Sequence, residues 1–133
     1  MKQSLRLNLM MIILFVLSSC SNNPLEGTWQ YNGGLYNGRE QKASPNFKMQ
    51  RTYSEKSYEA FKIEAFIEPE LYNSGIYKVQ GDTLLITSKF SSRPSQNTDL
   101  TIRYKFKIEN NKLTINGILP NGMVVEEYWK KVD

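Results

Sequence analysis

Hydrophobic and polar residues alternate along much of the chain, most regularly from Leu100 to Glu109, where the sequence reads LTIRYKFKIE. Because successive side chains of a β-strand point to opposite faces, this alternation predicts a strand with one apolar and one solvated face. The pair Asn110-Asn111 follows, and asparagine tolerates the left-handed backbone of a two-residue type I′ turn. The pattern therefore predicts a hairpin that sets Ile108 opposite Leu113.

Other turn signals divide the rest of the chain into strands. Gly81-Asp82 predicts a second two-residue hairpin, with Val79 facing Leu84. No stretch shows the period of an amphipathic helix over a useful length. A third turn is predicted at 120–122, before a last strand at 123–132. Further strands are predicted at three places in the first half of the chain: Gly27–Leu35, Asn46–Tyr53 and Ser57–Ile67.

About eight antiparallel strands of this kind build a sandwich or a barrel. A closed barrel leaves no sheet edge exposed, so we predict an all-β fold, a small eight-stranded antiparallel up-and-down barrel. Such a barrel is either filled by its own side chains or hollow enough for one small ligand. Strands of roughly seven to ten residues predict a short barrel with a shallow cavity.

The register of the last strand stays open, because one residue of slip exchanges the two faces of a strand. A three-residue loop turns one set of side chains towards the interior: Met123, Val125, Glu127 and Trp129. A two-residue loop turns the other set inward: Val124, Glu126, Tyr128 and Lys130. Either register points a glutamate inward among apolar neighbours, where a carboxylate needs a partner. This glutamate is either a polar contact for a ligand or a residue of a wet barrel end.

The N-terminus has the pattern of a secretory signal. Lys2 and Arg6 precede an unbroken apolar run from Leu9 to Leu17. A run of this length is too short to span a bilayer, which takes about 20 residues, but it suits the apolar core of a signal peptide. The run ends in Leu17-Ser18-Ser19-Cys20, which resembles the lipobox of bacterial lipoproteins. The resemblance implies that the Cys20 thiol is acylated and that the chain is cleaved before it.

This resemblance divides the chain into a signal peptide at 1–19, an acylated cysteine with a short tether at 20–24, and a barrel domain at 25–133. It also implies a place in the bacterial cell envelope. By the sorting rule of such lipoproteins, Ser21 in place of an aspartate favours the outer membrane. The stretch after Cys20 lacks the acidic cluster that directs some lipoproteins to the cell surface. We therefore expect a protein lipid-anchored in the outer membrane and facing the periplasm.

Composition removes several kinds of chemistry. The chain has no histidine and one cysteine, so it lacks the commonest general base and cannot form an internal disulfide. No nucleophile, phosphate-binding or metal-binding motif is present, and no spacing sets two acidic side chains in one cleft. Without residues 1–19 the chain has 15 basic and 13 acidic residues, which is too balanced for nucleic-acid binding. We expect no enzyme activity, no catalytic residue, no cofactor, no metal and no nucleic-acid partner.

Three motifs resemble those of bacterial lipocalin-like lipoproteins. In chain order they are PLEGTW at 24–29, Gly-Ile-Tyr with Gly-Asp-Thr within 75–83, and EYWKKV at 127–132. The resemblance implies a lipocalin-like barrel in which Trp29 packs across the closed end against Lys130 or Lys131. It also implies that 31–44 is a long first loop overhanging the open end. The chain lacks the Thr-Asp-Tyr motif of animal lipocalins, so no known lipocalin ligand is carried over.

Two functions from different classes follow. The first is a membrane-anchored module that binds a small apolar or lipidic ligand inside the barrel. The second is a structural or protein-interaction subunit, an accessory or inhibitor of an envelope complex, without a ligand cavity. Candidate ligand contacts are aromatic residues and the inward glutamate: Trp29, Tyr77, Tyr104, Phe106, Glu127 and Trp129. For the two tryptophans a purely structural role in the core is the alternative.

Overall fold

Alternating sequences form extended strands throughout the part of the chain that the computed structural model describes, residues 23–133. The strands are β1 Gly27–Tyr36, β2 Arg39–Gln41, β3 Lys48–Tyr53, β4 Ser57–Ile63, β5 Glu70–Gln80, β6 Thr83–Ser91, β7 Thr101–Glu109, β8 Lys112–Ile118 and β9 Val124–Lys131. Residues 23–133 contain no helix, and so none with the length and hydropathy that crossing a membrane requires.

Eight of these strands form a closed barrel. From β3 to β9 each strand pairs antiparallel with the next along the chain, and β1 pairs antiparallel with both β3 and β9. The short β2 pairs with the end of β1 and is additional to the ring of eight. Closure gives the barrel strands hydrogen-bonding neighbours on both sides. The predicted eight-stranded antiparallel up-and-down barrel is confirmed.

The hairpin registers agree with the sequence pattern. Both asparagines of the 110–111 turn have left-handed φ angles, 52° and 59°, as a type I′ turn requires. Both predicted pairs are formed, Ile108 with Leu113 and Val79 with Leu84, and each is the second pair from its turn.

The last strand takes the register of the three-residue loop. Trp129 pairs with Leu113, and Glu127 pairs with Ile115. The Leu119 amide donates to the Met123 carbonyl at 2.9 Å, which closes the loop at 120–122. Glu127 and Trp129 therefore point into the barrel with the apolar face of β8.

The resemblance implied a long loop at 31–44, which overlaps the strand predicted at Gly27–Leu35, but these residues are mostly strand. β1 continues to Tyr36 through a β-bulge between Tyr31 and Gly34, and β2 returns alongside it. The physical reason is the pair Asn37-Gly38, whose φ angles of 51° and 78° form a two-residue hairpin turn. Irregular chain is confined to 42–47, between β2 and β3.

Two strands are shorter than predicted. β3 begins at Lys48 and not at Asn46, and β4 ends at Ile63 and not at Ile67. Lys48 and Ile63 are partners across the two strands, so both strands stop at the same rung of the ladder. The chain turns after this rung, where Phe66 has a left-handed φ of 62° and a fully exposed side chain.

The barrel is closed where β1 begins and β9 ends, which we call the closed end. Trp29 fills it with 1% of its surface exposed, and its indole Nε1 donates to the Leu25 carbonyl at 2.8 Å. Lys131 Nζ lies 5.7 Å from the centroid of the Trp29 ring, so it is the lysine that contacts this tryptophan. The Asn23 side chain donates to the Tyr77 hydroxyl and holds the incoming chain at this end.

Aromatic and aliphatic side chains from all around the barrel form one core. The buried members are Leu25, Trp29, Tyr53, Tyr58, Tyr77, Leu84, Ile86, Leu113, Ile115 and Trp129.

Candidate functional site

The opposite end of the barrel, where β1 ends and β9 begins, is the open end. A cavity of about 770 Å³ enters the lumen there, and this volume is typical of small-molecule sites. Polar side chains that line it include Tyr31, Tyr36, Arg51, Tyr72 and Glu127. Apolar side chains that line it include Phe47, Met49, Ile63, Ala65 and Trp129.

Arg51 is the central cation of this cavity. It lies on β3 between Met49 and Tyr53, and the period of two along a strand turns all three into the barrel. Its Cζ atom lies 4.8 Å from the centroid of the Trp129 ring and 5.4 Å from that of Tyr58. Its Nη1 donates to the Tyr53 hydroxyl at 3.2 Å. The guanidinium is therefore surrounded by aromatic rings.

No carboxylate pairs with this cation. Within residues 23–133 no Asp or Glu oxygen lies within 4.0 Å of an Arg51 nitrogen. Arg51 Nε and Trp129 Nε1 are both shielded from solvent and have no hydrogen-bond partner in that part of the chain. Burial opposes the charge on Arg51, but the neighbouring Tyr53, Tyr72 and Glu127 raise its pKa above the usual value. The site thus holds a permanent positive charge with free donors.

The carboxylate of the cavity is already bound by a tyrosine. Glu127 Oε2 accepts a hydrogen bond from the Tyr36 hydroxyl at 2.8 Å, and the Tyr31 and Tyr36 hydroxyls are 2.9 Å apart. Burial and the charge of Glu127 raise the pKa of Tyr36 far above its usual value. Tyr36 therefore stays protonated and remains the donor to Glu127.

The β-bulge of β1 makes this tyrosine pair possible. A Cβ on Gly34 would lie 3.2 Å from the Tyr31 hydroxyl, 3.3 Å from the Tyr36 ring and 2.6 Å from the Glu126 carbonyl. Without that atom, both tyrosine side chains lie over the glycine and reach each other. The close approach of the β1 and β9 backbones and the contact between Tyr31 and Tyr36 thus both depend on Gly34.

Hydrogen bonds behind the rings fix the wall around Arg51. The Tyr58 hydroxyl donates to Asn73 Oδ1 at 2.7 Å, and Asn73 Nδ2 donates to Ser88 Oγ at 2.7 Å. A second bulge, between β4 and β5, lets Tyr72 line the cavity beside Asn73. Burial raises the pKa of Tyr72, although the charge of Arg51 acts in the opposite direction.

The structure brings two of the six candidate ligand contacts to the cavity, Glu127 and Trp129. Tyr104 and Phe106 pack against the core from β7. Trp29 and Tyr77 lie at the closed end, where the Tyr77 hydroxyl donates to the Ser54 carbonyl. Tyr77 also borders a second concave region, about 790 Å³, near the closed end. Cys20, the candidate lipidation site, lies outside the described residues.

Several cavity residues were missed from the sequence. The strongest signal was Arg51, a charged residue at an inward position between Met49 and Tyr53. Tyr31 and Tyr36 were hidden by the assignment of their segment to a loop. Asn37-Gly38, a strong short hairpin signal, could have corrected that assignment.

The structure also places two carboxylates on one cavity, which the sequence spacing did not predict. Glu64 and Glu127 both line it. Glu64 pairs with Lys62 at 2.7 Å, and Glu127 accepts from Tyr36, so both are engaged. Among residues 23–133 no three His, Cys, Asp or Glu side chains lie close enough together to hold a metal ion.

Solved structures resemble this barrel. A lipocalin-like protein from Bacteroides uniformis matches with a TM-score of 0.59 and 16% identity, over 81% of this chain and 98% of that one. A redesigned β-barrel matches with a TM-score of 0.48 and 15% identity, over 82% of this chain and 92% of that one. No protein-family model and no curated protein matches the sequence. The first match shows that the fold is a lipocalin-like barrel, and at this identity it shows the fold alone.

Proposed function

We propose that the protein binds a small amphipathic or apolar ligand in the lumen of its barrel. The observation that carries the proposal is the cavity of about 770 Å³ at the open end, which combines apolar walls with a few convergent polar groups. This combination is typical of small-molecule sites. A lipocalin-like barrel is also a fold that encloses one small ligand.

The two tryptophans provide the experiment, because they lie at opposite ends of the barrel. Trp129 lines the cavity, whereas Trp29 is buried at the closed end and does not. We expect titration of the purified full chain with dodecanol or dodecanoate to change its tryptophan fluorescence saturably. Trp129→Phe should remove the change, and Trp29→Phe should retain it. Absence of any saturable change with either compound would refute the proposal.

We propose no catalytic role for this cavity. Its two carboxylates are already paired or hydrogen-bonded. The chain also has no histidine to act as a general base.

We further propose that Cys20 is acylated and anchors the barrel in the outer membrane, facing the periplasm. The support is the signal-like N-terminus and the stretch Leu17-Ser18-Ser19-Cys20. Metabolic labelling with an alkyne fatty acid should label the wild type and the Ser21→Ala control but not Cys20→Ala. Labelling that survives in Cys20→Ala would exclude the anchor. Membrane fractionation of Ser21→Asp, expected in the inner membrane, tests the sorting.

A second candidate function, contact with an envelope protein, is favoured by apolar side chains exposed around the open end. They are Phe66, Ile67, Phe90, Leu100, Ile118 and Val124. Crosslinking in cells should then recover one specific protein from the wild type and less of it from Phe66→Ser. Recovery that is unchanged in Phe66→Ser would count against a role for this rim.

A further inference from the structure

The cavity contains more hydrogen-bond donors than its own residues can satisfy. Arg51 has five N–H donors in the plane of its guanidinium. Within residues 23–133 its Nη1 donates to the Tyr53 hydroxyl, the Tyr72 hydroxyl also interacts with the guanidinium, and its Nε has no partner. The indole Nε1 of Trp129 is likewise unpartnered, and the ring is only 3% exposed.

The two unpartnered donors belong to one site. Arg51 Cζ lies 4.8 Å from the centroid of the Trp129 ring, and both side chains line the same cavity. Contacts with the rings of Trp129 and Tyr58 stabilise the faces of the guanidinium, but they provide no acceptor for its Nε. Desolvated donors without acceptors are costly, and an unpaired buried charge is more so.

The protein does not supply the missing acceptor from its own carboxylates. Glu127 is held by Tyr36, and no carboxylate oxygen in the described part of the chain is within 4.0 Å of Arg51. Lys42 and Lys48 also line the cavity, and Glu64 there is paired with Lys62. The electrostatics of the entrance therefore favour an anion.

The apolar lining indicates the chemistry of the rest of the ligand, beyond its anionic head group. The cavity wall near the start of β3 and the end of β4 is apolar. Its members are Phe47, Met49, Ile63 and Ala65. Lys62 Nζ lies 4.6 Å from the Phe47 ring centroid, so a basic group borders this apolar wall as well. A head group at Arg51 can thus continue into a hydrocarbon chain that runs towards the open end.

We infer that the natural ligand is a carboxylate-bearing amphiphile whose head group pairs with the guanidinium of Arg51. Its hydrocarbon chain lies against the apolar wall at the mouth. The inference rests on the proposed function and adds the chemical class of the ligand.

The experiment compares dodecanoate with dodecanol, which share a hydrocarbon chain and differ in the charge of the head group. Binding to the purified full chain is measured by isothermal titration calorimetry below the micellar concentration of each compound. We expect dodecanoate to bind the wild type at least tenfold more tightly than dodecanol. Arg51→Met should abolish this preference.

Arg103→Met is the matched control, because Arg103 is exposed on the outer face of β7. It should leave both affinities unchanged. Arg51→Lys keeps a charge but lacks the planar set of donors of a guanidinium, and we expect it to retain only part of the preference. This second variant also keeps the inference testable if Arg51→Met does not fold. Acetate, which has no hydrocarbon chain, should not displace dodecanoate at equal concentration.

The outcomes separate the inference from the proposed function. Equal affinity of the wild type for both compounds, or an undiminished preference in folded Arg51→Met, overturns the inference while luminal binding stands. Binding of neither compound overturns both. Displacement of dodecanoate by equimolar acetate would show a simple anion site. It would also overturn the inference that the ligand is an amphiphile.

Discussion

Gly117 makes room for one aromatic wall of the lumen. It is the cross-strand partner of Tyr104, and a Cβ on it would lie 2.5 Å from Cδ1 and 2.9 Å from Cε1 of that ring. The φ angle of Gly117 is not left-handed, so the obstacle to an alanine there is steric: the Tyr104 ring, and the Arg103 carbonyl oxygen at 3.3 Å.

We expect Gly117→Ala to lower the free energy of unfolding by about 1–3 kcal/mol through overpacking. Urea denaturation measures this loss. In a Tyr104→Ala background the same substitution meets no ring and only the Arg103 carbonyl at 3.3 Å, so we expect a loss of less than about 1 kcal/mol. An equal loss in both backgrounds would contradict this explanation.

Arg51 shows how far single residues could be predicted. The alternation of Met49, Arg51 and Tyr53 determines that Arg51 points into a barrel. It does not determine that Trp129 lies beside it, because that contact depends on the register of β9 and on barrel closure. The absence of a carboxylate partner is a property of the whole lumen, and no local pattern encodes it.

At the scale of elements, the hairpin of β1 and β2 links the cavity to the last strand. The Asn37 side-chain oxygen accepts a hydrogen bond from the Val124 amide at 2.9 Å, and the Asn37 amide donates to the Val124 carbonyl at 2.8 Å. This turn therefore fixes the end of β1, which carries Tyr36, against the start of β9, which carries Glu127.

We expect Asn37→Ala to lower the free energy of unfolding by about 1–2 kcal/mol and to speed amide exchange in 31–41. The substitution removes both the tolerance of left-handed φ and the bond to Val124. Asn110→Ala is the matched control, since Asn110 has nearly the same φ and its side chain has no hydrogen bond in the described chain. Hydrogen exchange followed by mass spectrometry should show faster exchange at 31–41 in Asn37→Ala only. Equal exchange in the two variants would mean that the Val124 bond contributes nothing.

The elements that the sequence pattern predicted are those with local causes. Two-residue turns and the alternation of apolar and polar residues were enough to predict the pairing of Ile108 with Leu113 and of Val79 with Leu84. The bulges of β1 and β5 were not predicted, because an extra residue in a strand is determined by its partner across the sheet. These bulges bring Tyr31, Tyr36 and Tyr72 to the cavity, so most of the site was missed with them.

At the scale of the whole molecule, buried tyrosines make the barrel sensitive to alkali. Burial raises the pKa of Tyr104 to about 12, and it also raises the pKa of Tyr31, Tyr36, Tyr58 and Tyr72. In the unfolded chain tyrosines lose their protons near pH 10. Above that pH the unfolded state binds fewer protons than the folded state, so stability falls as the pH rises.

We therefore expect the free energy of unfolding to be unaffected by these tyrosines below about pH 10 and to fall between about pH 10 and 12. Urea denaturation at several pH values measures the slope, and absorbance at the tyrosinate band reports ionisation. Tyr104→Phe should reduce the slope, and its difference from the wild type isolates the contribution of this one tyrosine. Identical slopes in the wild type and Tyr104→Phe would show that Tyr104 has the same pKa in the folded and unfolded states, against this prediction.

The position of Asn23 at the closed end has a consequence for how a ligand would enter and leave. With Cys20 acylated as proposed, three residues, roughly 10 Å of chain, separate the lipid from this end of the barrel. The mouth would then stand roughly 20–25 Å above the anchoring leaflet and face away from it. A lipid in that leaflet could not slide sideways into the lumen. Loading would instead have to occur from the periplasmic water or from a carrier that meets the apolar rim.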